Sequence, residues 1–203
     1  YARQQGWYDR AIYAAERSQQ LDNFALRYLA PFRDVVEKYA ENEGLEPAWV
    51  YGLMRQESRF VADIKSRVGA SGLMQLMPAT AKWVAGKLGW KKFNPDSVTD
   101  IEVNVALGSR YLGDVWKQLG NSQVLASAGY NAGPGRARAW QKETAMDAAI
   151  YIETIRFDET RDYVKRVMAN ATHYAQLFGK GETSIKTRIG TIAPRGGNIP
   201  DLP

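Results

Sequence analysis

The chain has 203 residues, 45% hydrophobic and 24% charged, ordinary values that allow a buried core of one domain with appendages or two small domains. It contains no cysteine, which excludes thiol nucleophiles, disulfides and lipidation on Cys, and its single histidine, His173, is a poor basis for a catalytic triad or a multi-histidine metal site. No apolar run approaches the roughly 18 residues that span a bilayer, and 27 basic against 22 acidic side chains give a net charge of +5 and a pI near 9.3.

Strand-like alternation is nearly absent and helical stripes recur, so the expected class is all-α. Residues 5–18 carry Trp7, Ile12 and Ala15 on an amphipathic helix. The start has neither an initiator Met nor a signal-peptide pattern, which reads as a mature or excised fragment. A second helix runs from Pro31, suited to a first turn, to Gly44, a C-terminal cap.

Pro47 opens the next helix, in which Val50, Leu53, Met54, Glu57 and Phe60 recur at the 3,4 spacing of one face. A carboxylate therefore stands where an apolar residue belongs. Burial and the negative end of the helix dipole both disfavour its charge, raising its pKa toward the range of a general acid. The helix alone leaves a second reading open, a carboxylate satisfied by a buried Arg or by backbone amides.

Residues 60–78 break the helical pattern and read as an ordered loop or small hairpin directly after Glu57. From Ile64 to Pro95 there is no acidic residue, while Lys65, Arg67, Lys82, Lys87, Lys91 and Lys92 all fall there. Such a segment attracts an anionic polymer, a nucleic acid or an acidic glycan, unless it is simply a solvated basic face. Pro78 opens a helix ending near Gly89, and a longer one spans residues 100–119, stopped by Gly120. Shorter helices are expected over 124–130, 135–142 and 148–154, then a long one over 159–178. A glycine cluster, residues 129–135, interrupts them, and residues 179–203 are expected to be irregular.

Four segments point the same way: Gln56-Glu-Ser-Arg-Phe60, Gly69-Ala-Ser-Gly-Leu-Met-Gln-Leu-Met-Pro78, Gly129-Tyr-Asn-Ala-Gly-Pro-Gly135 and Tyr151-Ile-Glu-Thr-Ile-Arg-Phe-Asp-Glu-Thr-Arg-Asp-Tyr-Val164. In order and spacing they resemble the motifs of soluble lytic transglycosylases. The resemblance implies a goose-type lysozyme-like helical domain over residues 28–178, with a short loop or hairpin after the catalytic helix. It implies that residues 1–27 end a longer helical solenoid. The implied activity is cleavage of the β-1,4 bond between N-acetylmuramic acid and N-acetylglucosamine in peptidoglycan, in the periplasm, leaving a 1,6-anhydromuramic end. Glu57 matches the family's acid/base. One carboxylate suffices where the sugar's own 6-hydroxyl is the nucleophile, whereas an ordinary glycosidase needs two.

By the same resemblance, Ser66 and Tyr130 match hydroxyls that orient the catalytic carboxyl. Gln75 and Met77 match residues lining sugar subsites, and Met74 is assigned to the core. Asn131 reads as a cap or ligand contact. Glu153 matches a substrate contact, its alternative being an exposed helix carboxylate, and Tyr163 lies in the same late motif. No cofactor, metal or nucleic-acid partner is implied; glycan strands are the expected partner, with other cell-wall enzymes as further candidates. The chain departs from the pattern at Asp63-Ile-Lys65, Gly129 and Arg156. A non-catalytic peptidoglycan-binding scaffold and a hydrolytic muramidase are the alternative functions.

Overall fold

The computed structural model describes residues 1–18 and 24–196. The fold is all-α. Its helices are α1 (Tyr8–Arg17), α2 (Phe24–Arg27), α3 (Arg33–Asn42), α4 (Pro47–Glu57), α5 (Pro78–Lys87), α6 (Ile101–Gln118), α7 (Gln123–Ala132), α8 (Pro134–Ala139), α9 (Ala148–Thr154), α10 (Asp158–Phe178) and α11 (Ile185–Ile189). A 3-10 turn, Pro95–Thr99, precedes α6, and a two-stranded antiparallel sheet pairs β1 (Met146–Asp147) with β2 (Thr191–Ile192). No helix among the described residues is long and apolar enough to cross a membrane.

The centre of the domain is α4 against α10. Val50, Leu53 and Met54 are fully buried, each contributing roughly 1.5–3 kcal/mol of hydrophobic stabilisation. Gly52 lets the two backbones touch, since a Cβ there would lie 2.7 Å from the Ala171 nitrogen and 2.9 Å from the Val167 oxygen. The pair is antiparallel: stepping from Gly52 to Glu57 along α4 leads from Ala171 back to Tyr163 along α10. The crossing therefore delivers a tyrosine to the carboxyl at the end of α4.

The helix starts have local causes. Proline occupies the first turn of α4, α5 and α8, where its missing N–H has no partner to lose. Asp100, Ser122 and Asp147 cap α6, α7 and α9 by accepting backbone N–H groups. Gly129, one departure from the family pattern, has a packing reason. A Cβ there would come within 2.9 Å of Leu119 and 3.0 Å of Val115, both core side chains.

Residues 179–203, expected to be irregular, are ordered over much of their described part. Ser184 caps α11, accepting the Thr187 N–H, and Arg188 is buried. Arg188 donates to both carboxylate oxygens of Glu46 at 2.7 and 2.9 Å, and also to Gln123, Thr172 and the Glu182 carbonyl. The sequence hid this because the capping serine opens only one and a half turns, and one arginine supplies the anchoring. Residues 197–203 lie outside the described residues. His173 behaves as a packed helix residue, stacked on Phe24 at 5.0 Å and tilted against Tyr28 at 4.8 Å; burial lowers its pKa.

Candidate active site

Glu57 is the last residue of α4, and the chain then turns through Arg59 and Phe60, both at positive φ. Glu57 at this turn is half-buried, between the core face of α4 and the surface. Tyr163, on α10 and nearly fully buried, donates its hydroxyl to Glu57 Oε1 at 2.6 Å. Burial raises the Glu57 pKa to about 7; the Tyr163 bond pulls it down and the charge of Glu159 pushes it up. Tyr163 and Tyr130 are both held well above the usual phenol range, first by burial and then by the Glu57 charge. Both phenols are therefore donors at neutral pH.

Arg55 and Arg59, on either side of Glu57 in sequence, do not neutralise it. Both turn to Glu16 of α1, at 2.8 and 3.3 Å, and Arg55 further bonds the Arg27 carbonyl and Asn170. The buried-arginine alternative for Glu57 thus has its arginine elsewhere.

The hairpin after Glu57 forms a small meander in which Lys65 bridges Ser71 and Ser71 bridges Leu76. Ser66 Oγ accepts the Ala70 N–H at 3.0 Å, and the Tyr130 hydroxyl donates to the Met74 carbonyl at 2.8 Å. Of the three hydroxyls singled out in the sequence, the structure puts Tyr163 on the carboxyl and engages the other two with the hairpin backbone. Gln75 sits at positive φ, its amide donating to the Gly72 and Ile64 carbonyls at 2.8 and 3.2 Å. Met77 is exposed and Met74 fully buried. Asn131 accepts the Thr160 hydroxyl at 2.7 Å, tying α7 to α10. Glu153 is exposed on α9, and its carboxylate, held low by Lys165, lies 2.6 Å from that ammonium.

One residue of this region was not singled out. Asn104 of α6, fully buried, accepts the Met74 N–H at 2.7 Å and donates to the Ser71 and Val98 carbonyls at 3.0 and 2.7 Å. Its signal was the same as that of Glu57, a polar side chain among buried neighbours such as Leu107 and Tyr111 on one helical face. Asn104→Ala removes the partner of the Met74 N–H and the donor to the Val98 carbonyl, while the Ser71 carbonyl keeps the Leu76 N–H, and is expected to lower stability by about 2–3 kcal/mol. A thermal melt, with loss of hydrogen-exchange protection at the Met74 amide, checks it.

A compact helical unit with a near-neutral carboxyl at the mouth of its central helix defines a lysozyme-like fold. Sequence comparison narrows this. The model of the Transglycosylase SLT domain matches residues 34–152, and that of the Soluble lytic transglycosylase helical domain matches residues 154–183. The chain belongs to the SLT-domain transglycosylase family. It is similar to the soluble lytic murein transglycosylases of Salmonella typhimurium and of Escherichia coli K12, each 36% identical over 90% of this chain and 29% of the relative. Among solved structures it resembles an inactive mutant of the lytic transglycosylase Slt from Pseudomonas aeruginosa, with a TM-score of 0.85, 40% identity and coverage of 90% of this chain and 30% of that one. A complex of the 70 kDa soluble lytic transglycosylase with bulgecin A gives a TM-score of 0.80 at 34% identity, covering 89% of this chain and 30% of that one. The chain thus spans about 29% of the length of these curated relatives.

Proposed function

We infer that this chain cleaves the β-1,4 bond between N-acetylmuramic acid and N-acetylglucosamine in peptidoglycan by lytic transglycosylation, in the periplasm. The observation that carries the reading is a single carboxyl raised to about 7 and held by one tyrosine hydroxyl. In its neutral form Glu57 gives its proton to the leaving glycosidic oxygen as the C1–O bond breaks. As carboxylate it then takes the proton from the 6-hydroxyl, whose oxygen bonds to C1 and closes the 1,6-anhydro ring. The protein is returned to its starting state without water. The raised pKa suits both steps, since the same group must lose and regain one proton near neutral pH.

The other groups have supporting parts in this reading. Tyr163 sets the carboxyl's orientation and its pKa. The hairpin carrying Ser66, Gln75 and Met77 forms one wall of the sugar site, with Met77 as its exposed apolar face. Tyr130 and Asn131 brace that wall and α10, and Glu153 would meet substrate after release from Lys165. Residues 28–178 form the catalytic unit, and residues 1–27 end a longer helical solenoid. The names of the relatives support murein as substrate, and the Pseudomonas mutant, in which one glutamate is replaced by glutamine, is named as inactive.

Digestion of purified sacculi followed by mass analysis of the muropeptides tests the reaction. Anhydro ends are expected. Reducing-end muramic acid without them would assign a hydrolytic muramidase instead. The pH profile is a second test. Glu57 must start protonated, so kcat/KM is expected to be highest below its pKa and to fall as pH rises through about 7. Tyr163→Phe removes the bond that lowers this pKa. Its alkaline limb is expected to move to higher pH while the maximal rate drops about tenfold; an unmoved limb would remove Tyr163 from its role.

A further inference from the structure

A cleft of about 690 Å³ lies at the far end of α5, lined by Lys82, Gly86, Trp90, Lys91 and Phe93 among others and by no carboxylate. None of the residues placed around Glu57 lines it. Its lining begins at Lys82, more than a turn along α5 from Met77, and runs on through Gly86 to Pro95 beyond the end of that helix. The cleft is therefore a separate feature of the surface.

Three observations give it a chemistry. The first is aromatic. The turn after α5 places the Trp90 and Phe93 rings with centroids 6.4 Å apart, both partly exposed, and such faces take the apolar side of a sugar ring. The second is charge. Of the six cations in the acid-free stretch, Lys87 pairs with Asp114, whereas Lys82 and Lys91 at the cleft form no ion pair among the described residues. The third is Gly86. It is helical, has ordinary φ, and a Cβ there would meet nothing within 4 Å. Neither packing nor backbone geometry requires glycine, which weakens a helix relative to alanine. What its missing side chain provides is a clear cleft floor.

We propose that this cleft is a second holding point for peptidoglycan, taking a sugar ring on Trp90 with the carboxylates of its stem peptide on Lys82 and Lys91. The proposal rests on the murein reading of the chain. It extends that reading, because a polymer held at two places remains attached between cleavage events and its effective concentration at the first site rises.

The test separates holding from cleavage. In the Glu57→Gln background, Lys82→Glu with Lys91→Glu is expected to weaken binding to sacculi about tenfold, and Gly86→Ala about threefold, while Gly86→Ala raises the melting temperature by about 2 °C or more. With Glu57 intact, the same variants are expected to cleave a short soluble glycan, too small to reach both places, at the native rate. Sacculi stripped of stem peptides by an amidase are expected to bind native and double-lysine forms alike. Unchanged sacculus binding by all variants would overturn the proposal, as would an equal lysine effect on stripped sacculi. A native protein that binds sacculi but cleaves nothing would instead sink the cleavage reading, which the binding measurements do not depend on.

Discussion

Glu57→Gln is expected to abolish glycan cleavage, by about 10³-fold or more, in a protein that folds and still binds sacculi. The substitution keeps the shape of the neutral acid and its acceptor for the Tyr163 hydroxyl, but has no transferable proton. Its effect on stability has a definite sign. In the native chain the folded carboxyl holds its proton up to about pH 7, whereas in the unfolded chain it loses it near 4.5. Between these values the folded state binds more protons than the unfolded, so raising pH through this window costs stability, by at most roughly 3 kcal/mol. Gln carries no such penalty. Glu57→Gln should therefore melt at a higher temperature than the native chain at pH 8 and at nearly the same temperature at pH 4.5. Activity retained by the mutant would remove Glu57 from the mechanism; loss of activity without the pH-dependent gain would mean that the carboxyl is not desolvated.

Removing the buried cation at Arg188 should be the most damaging change to the fold. Its guanidinium has no exposed surface, and Glu46 keeps only 19% of its own. Burial pushes the Glu46 carboxyl up, but the bonds from Arg188 and Gln123 outweigh it and hold the pKa below the usual value. Arg188→Leu leaves that carboxylate buried without its cation, a loss of about 3–5 kcal/mol. For a chain of this size the melting temperature should fall by about 10 °C or more, with new proteolytic cleavage near Gly181 and Gly190. Adding Glu46→Leu to Arg188→Leu should recover much of the loss, because no charge is then stranded. A double variant as unstable as the single one would place the contribution in packing rather than in the ion pair.

Much of the helical frame could be read from the sequence because its punctuation is local. Proline marked the starts of α4 and α5, the helical pattern placed those of α6 and α7 to within a residue, and α9 came out with its bounds unchanged. Glu57 stood out by breaking an apolar stripe. What the sequence did not yield were interactions across long separations. Which tyrosine meets the carboxyl depends on the α4 and α10 crossing that Gly52 permits, and nothing near residue 57 or 163 encodes it. Asn104 carried the same local signal as Glu57, but its three partners lie on two loops before it. The α11 anchor depends on Arg188 finding Glu46, and periodicity cannot report a single pairing.

The helix that ends in Glu57 is moored at both ends by segments remote in the chain. Glu46, just before its first turn, is gripped by Arg188 across 142 positions. Arg55, near its last turn, is gripped by Glu16, and Glu57 itself meets Tyr163 across 106 positions. Contacts of such span close late in folding, after the loop entropy between them has been overcome. Chemical competence is then a finishing event. Without the burial that the docked fold supplies, the same carboxyl is an ordinary acid, ionised at neutral pH. The poised acid exists only once residues far downstream have docked, so the proton-donating form of Glu57 near neutral pH is a property of the finished fold and not of its helix.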